Sequence, residues 1–178
     1  MAGCLSCGGG GNISPESVRR WTEKLSNVLL SSIARQKLHD YLESRDLEQG
    51  QRLLEFWEKC NTFLIQAEKS KHLNLEWSRD TPEKRARSPT GLGSIQRHCK
   101  TTLKQEAQFI LKFADSDINF DQAQMQALYT AIESEDNHTI MRAISEAKQK
   151  SAEMLEEEGY HEFCRYLLKG QGLLKEGD

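Results

Sequence analysis

Apolar residues recur at helical spacing along most of this chain, and only three prolines, Pro15, Pro82 and Pro89, stand in their way. Proline removes an N–H and clashes with the preceding turn, so it ends or kinks a helix. A chain this poor in breakers can be mostly helical. The densest stretch is LLEFWEKCNTFL, Leu53 to Leu64, apolar at 53, 54, 56, 57, 60, 63 and 64. Spacings of three and four gather such residues on one side of a helix. The same stretch sets two large rings, Phe56 and Trp57, side by side. Whether they form a core or a binding face decides what this helix does.

The rest of the chain reads the same way. Ser14 is a candidate N-cap, Pro15 suits the first helical position and Ser17 offers a second cap. The spacing then predicts one helix through SPESVRRWTEKLSNVLL, with Val18, Trp21, Leu25, Val28 and Leu29 on its apolar face. A second helix is expected from about Ala34 to Glu43, with Leu38, Tyr41 and Leu42 inward. The third covers roughly Leu47 to Ala67, and Gly50 shifts its expected start towards Gln51. A fourth presents Leu103, Ala107, Ile110 and Leu111. INFD, Ile118 to Asp121, reads as a turn with Asp121 as N-cap to a helix over Gln122 to Glu133, where Met125, Leu128, Tyr129 and Ile132 face in. His138 to Glu157 is a long helix carrying Ile140, Ile144, Ala147, Ser151, Met154 and Leu155. Gly159 is its expected stop. A last helix, YHEFCRYLL, buries Tyr160, Phe163, Cys164 and Leu167. No alternating strand pattern of any length occurs, so the fold class is all-α.

Two segments stand apart. Residues 1–13 are glycine-rich and are expected to form a flexible tail. Residues 70–96, with two of the three prolines and the basic run Lys84, Arg85, Arg87, are expected to be a mobile insertion. The expected domain is 14–178, a nearly bare domain.

Composition excludes several classes of function. A net charge of −3 gives no basic face for nucleic acid. The five cysteines, Cys4, Cys7, Cys60, Cys99 and Cys164, are odd in number and irregular in spacing. That argues against a disulfide framework and for a cytoplasmic, reducing setting. No apolar run reaches the length of a membrane span. Cys4 and Cys7 form half of a metal or redox motif, and no second half exists to complete it. They are candidates for acylation, which would hold the chain at the plasma membrane through two chains but weakly through one. The alternative is an inert tail. The run Gly8 to Gly11 lacks the Lys-Ser/Thr ending of a phosphate loop. The histidines 39, 72, 98, 138 and 161 show no ligand spacing, and no catalytic pair stands out. No enzyme, metal or cofactor is expected. Arg85 and Arg87 precede Ser88-Pro89, which makes Ser88 a candidate phosphorylation site. The acidic run Glu156, Glu157, Glu158 reads as a solvated face.

Three patterns in order carry a family resemblance. Trp21, Leu25 and Leu29 are followed by Tyr41-Leu42, and then by Leu54-Glu55-Phe56-Trp57 with Cys60 and Phe63. INFD follows, and then Ile144 to Phe163 with the corner Glu158-Gly159-Tyr160-His161-Glu162-Phe163. Together these resemble the RGS domain, the regulator of G-protein signalling. That family has a Trp-led opening helix, an acidic F-W-x-x-C helix, a V-N-L-D turn and a D-S-Y-x-x-F corner. The resemblance covers about residues 15–174. It implies a bundle of about nine helices in two subdomains, with Phe56, Trp57, Cys60 and Phe63 in the core.

The resemblance also implies a function and its surface. RGS domains bind Gα subunits and speed their GTP hydrolysis. They supply no base of their own, but clamp the switch segments in the transition-state arrangement. Three loops would form the contact surface. The first holds Arg52 and Leu53, the second Asn119 and Asp121, and the third Met154, Glu158, Gly159 and Glu162. Asn119 and Asp121 match the family, with Asn119 at the position that touches the Gα catalytic machinery. The others depart. Arg52 and Leu53 stand where active members carry Glu and Asn, Glu158 replaces Asp, Gly159 replaces Ser, and Glu162 replaces Arg. Reversing the last charge would repel acidic partner groups. The expected function is a monomeric signalling protein that binds Gα with little activating power. The alternative is an interaction scaffold like those of axin or A-kinase anchoring proteins.

Overall fold

The computed structural model describes residues 13–78, 92–134 and 136–173, with side chains at 13–70, 103–134 and 136–173. All secondary structure among them is helical. The helices are α1 Pro15–Glu23, α2 Leu25–Leu30, α3 Ser32–Ser44, α4 Glu48–Ser78, α5 Leu92–Asp117, α6 Gln122–Glu133, α7 Asn137–Leu155 and α8 His161–Gly170. A π turn, Glu156–Tyr160, joins α7 to α8. The chain divides into two compact units. One comprises residues 1–48 and 156–178, the other residues 49–155.

In the first unit, Ser14 caps α1 by accepting the Ser17 N–H at 3.2 Å, with Pro15 at the first helical position. The single opening helix expected from the sequence is two helices. Lys24 adopts an extended conformation between them. The Asn27 side-chain amide donates to the Arg20 carbonyl at 2.7 Å, taking the acceptor that the next helical turn would use. The expected face survives the break, since Val18, Trp21, Leu25, Val28 and Leu29 are all buried. α3 buries Ala34, Leu38, Tyr41 and Leu42. α1 packs on α8 as well as on α2, and α2 packs on α3. The two sequence segments of this unit are tied together here: the buried Tyr160 hydroxyl donates to the Trp21 carbonyl at 2.9 Å. Burial raises the Tyr160 pKa above the usual phenol range, and contact with Cys164 adds to the shift.

Two helices of this unit end in the same backbone closure. After α3, Leu47 N–H reaches the Leu42 carbonyl at 2.9 Å and Asp46 N–H reaches Glu43 at 3.1 Å. After α8, Leu173 N–H reaches Leu168 at 2.9 Å and Gly172 N–H reaches Lys169 at 3.0 Å. These are Schellman closures, whose pivot residue is left-handed and favours glycine. Gly172 pivots at φ 65° and Asp46 at φ 58°. We expect Asp46→Gly to stabilise the chain by about 0.5 kcal/mol and Gly172→Ala to destabilise it by about 1 kcal/mol. Urea unfolding measures both. Opposite signs would deny that the pivot geometry sets the balance.

The second unit is built around α4. Leu53, Leu54, Phe56, Trp57, Cys60, Phe63 and Ala67 are all buried. The Phe56 ring stacks on Phe113 at 6.1 Å and meets Phe120 edge-on at 5.4 Å. Lys148 on α7 sits over the Trp57 ring at 5.2 Å and donates to Asn61 Oδ1 at 3.2 Å. The paired rings are therefore core. The Cys60 thiol is pushed up to about 12 by burial, against the opposing effect of Lys148. α5 contributes Ala107, Ile110 and Ala114, and packs on α6, which packs on α7. Leu103 and Leu111, expected inward, are half-buried.

Three boundaries differ from the expectation. α4 begins at Glu48, so Gly50 lies inside its first turn and is buried. α4 also runs on to Ser78, and α5 starts at Leu92, so helix covers much of the expected insertion. Residues 68–81 contain neither glycine nor proline, and nothing in them stops a helix. Residues 79–91 lie outside the described residues. At the far end the helix does not simply stop at Gly159. It widens into the π turn, where Gly159 has φ 179° and ψ −1°.

Candidate functional site

The turn between α5 and α6 alternates strictly. Ile118 is buried, Asn119 is exposed, Phe120 turns in against Phe56, and Asp121 caps α6. Phe120 N–H donates to the Ile118 carbonyl at 2.9 Å, which sets Asn119 at the apex of a three-residue turn. Asp121 Oδ1 accepts the Gln124 N–H at 2.8 Å, and Gln124 Oε1 accepts the Asp121 N–H at 3.2 Å. That reciprocal capping box fixes the turn from its far side. Asn119 is thus an exposed amide held by two anchored neighbours. No described residue hydrogen-bonds its side chain.

Arg52 reaches this turn from α4. Its Nε lies 3.7 Å from Asp117 Oδ1, and its Nη1 lies 3.7 Å from Glu55 Oε2. The first two expected patches therefore lie side by side in the second unit, joined by Asp117. Sequence reading missed Asp117, since an acid at a helix C-terminus carries no motif. Phe120 lies within INFD, but that pattern marks a turn and a cap and does not say which side chain turns in to anchor it. Leu53 does not belong to any surface. It is 0% exposed and faces the core, so of the first patch only Arg52 can meet a partner.

The third patch divides by burial. Met154 is half-buried on α7. In the first unit Glu158 and Glu162 are exposed, whereas Gly159 is buried. A β-carbon added at Gly159 would sit 3.2 Å from Leu42 Cδ2 and 3.3 Å from Leu47 Cδ1. Those two leucines are the apolar partners of the α3 closure. Gly159 is a packing residue here, and the serine of the family pattern would press on that contact. Burial raises the Tyr41 pKa; Arg45 opposes the shift and Glu162 adds to it. Arg45 lies over the Tyr41 ring at 5.7 Å.

Cys4, Cys7 and Ser88 lie outside the described residues. Among those described, no cluster of three or more His, Cys, Asp or Glu can hold a metal ion. No described helix is long and apolar enough to cross a membrane. A groove of about 450 Å³ adjoins the INFD turn, floored by Ala123, Ala127, Ala143 and Ala147. A larger groove of about 660 Å³ runs between α4 and α5. No protein-family model, curated protein or solved structure matches the chain.

Proposed function

We propose that the chain is a divergent RGS-like domain that binds Gα subunits and regulates their GTPase cycle by binding, with little stimulation of hydrolysis. The observation that carries this reading is the Arg52–Asp117 pair, which joins the start of the F-W-x-x-C helix to the turn bearing Asn119. Two of the three loops that the resemblance assigns to Gα contact are thereby neighbours. The core position of Phe56 and Trp57 supports the same reading, because it leaves recognition to helix ends and turns.

A domain of this kind acts by holding a partner's switch segments still. Transition-state stabilisation then comes from preorganised polar contacts rather than from a proton transfer. Asn119 suits that role, because its amide both donates and accepts and its backbone is locked on each side. The other contacts are weakened. Leu53 and Gly159 face inward, and Glu158 and Glu162 present negative charge where the family pattern has its Asp–Arg pair. Buried residues at two family contact positions also favour the second reading, an RGS-homology scaffold that recognises another signalling protein.

Binding to fluoroaluminate-loaded Gα, together with single-turnover GTP hydrolysis, separates the two. Expected are measurable binding to one Gα class, modest acceleration at most, and roughly tenfold weaker binding for Asn119→Ala. Absence of binding across a panel of Gα classes would reject this proposal and leave the scaffold.

A further inference from the structure

The first unit is built from two segments distant in sequence. Residues 49–155, the whole of the second unit, intervene between them. The chain leaves the first unit at Glu48 and re-enters it at Glu156. These crossing points are neighbours within that unit, because Gly159 lies against Leu42 and Leu47. Each crossing is also a change of backbone pattern. Glu48 follows shortly after the left-handed Asp46, and Glu156 opens the π turn, where the hydrogen-bond ladder of α7 gives way.

The contacts that join the two segments are few and well defined. α1 packs on α8. The Tyr160 hydroxyl donates to the Trp21 carbonyl at 2.9 Å, with both residues buried. Trp21 lies in the last turn of α1, whose carbonyls have no partner in a further turn. At the other end of α8 the Gln171 amide reaches the Ile13 carbonyl at 3.4 Å, a longer and exposed bond. Tyr160 is thus the buried polar tie between the segments. The two units do not depend on each other equally. While the second is folded, the crossing points are held and the first closes at no further cost in chain entropy. With the second unfolded, the first would have to close a loop of all the residues from 49 to 155. We propose that the first unit is a clasp, opening as one cooperative body while the second stays folded, with Tyr160 as its latch. Opening divides the candidate contact surface. Glu158 and Glu162 leave with the clasp, whereas Arg52, Asp117 and Asn119 stay on the folded unit. The clasp stands on geometry alone and is independent of the Gα reading.

Native-state hydrogen exchange of the full chain in low urea, read by mass spectrometry, tests it. The slowest amides of α1, α2, α3 and α8 are expected to share one opening. Its urea slope should be smaller than that of the slowest amides in α6 and α7, because slope scales with the surface exposed. Tyr160→Phe keeps the ring and loses the bond, so exchange throughout α1, α2, α3 and α8 should rise together by about tenfold. Ile144→Val trims the buried core of the second unit. It should speed exchange in α6 and α7 by about tenfold and leave α1, α2, α3 and α8 as in the wild type. That asymmetry separates a clasp from ordinary global unfolding. One opening with one slope for both units would overturn the proposal. So would a Tyr160→Phe effect that is absent or confined to residues beside 160, or an Ile144→Val variant that speeds the first unit equally.

Discussion

Phe56→Ala is expected to cost about 3–5 kcal/mol of unfolding free energy, a large share of what a domain of this size has. The ring has no exposed surface. Its removal leaves a cavity between Phe113 and Phe120 and ends both ring contacts, the stacked one and the edge-on one. Each aromatic contact adds roughly 0.5–1.5 kcal/mol beyond area burial. Phe56→Leu keeps most of the volume and loses only the ring geometry, so its cost should fall to about 1–2 kcal/mol. Urea unfolding followed by circular dichroism gives both numbers. The truncation should also loosen the INFD turn, because Phe120 is held down by the Phe56 edge. If the proposed Gα contact is correct, Phe56→Ala will lower binding under conditions where the protein is still folded. Costs below about 1 kcal/mol for the alanine variant would mean that the rings of α4 are not the centre of the second unit.

Most of this core is legible in the sequence, because apolar spacing reports burial directly. Val18, Trp21, Leu38, Leu42, Phe56, Trp57 and Phe163 are expected inward and lie there. Spacing does not report events that turn on a single hydrogen bond. At the break at Lys24 one Asn27 amide takes the Arg20 carbonyl, and no periodicity encodes that. The widening at Glu156–Tyr160 is similar: glycine reads as a stop, whereas here it lets Leu42 and Leu47 come close. The long α4 escapes for the opposite reason. Polar composition around residues 70–78 resembles a loop, although nothing there opposes a helix. At the candidate site, Asn119 and Asp121 are legible as a turn and a cap, and both take those places. The Arg52–Asp117 pair is not, since it joins residues 65 positions apart in an aperiodic way.

Leu53 tests how far the family pattern can be carried onto this chain. The resemblance sets Leu53 where activating RGS domains carry asparagine, so under the proposed function Leu53→Asn is the obvious attempt to add activation. We expect it to cost about 3 kcal/mol or more instead. The substitution gives up the burial of a leucine side chain, worth roughly 1.5–3 kcal/mol. It also puts an amide with two donors and a carbonyl into a position with no exposed surface, at about 1–3 kcal/mol if unpaired. Arg52→Glu, at the neighbouring departure, should behave differently. Arg52 is half exposed, and its pairs with Glu55 and Asp117 are surface contacts, so the change should cost less than about 1 kcal/mol. The contrast between adjacent positions is the measurement: urea unfolding should separate them by about 2 kcal/mol or more. Neither change alone should raise GTP hydrolysis by Gα, because an asparagine at 53 would point inward with the leucine it replaces. A stable Leu53→Asn variant, or one that gains activation, would mean that the first turns of α4 present residue 53 to solvent and that the family contact is intact after all.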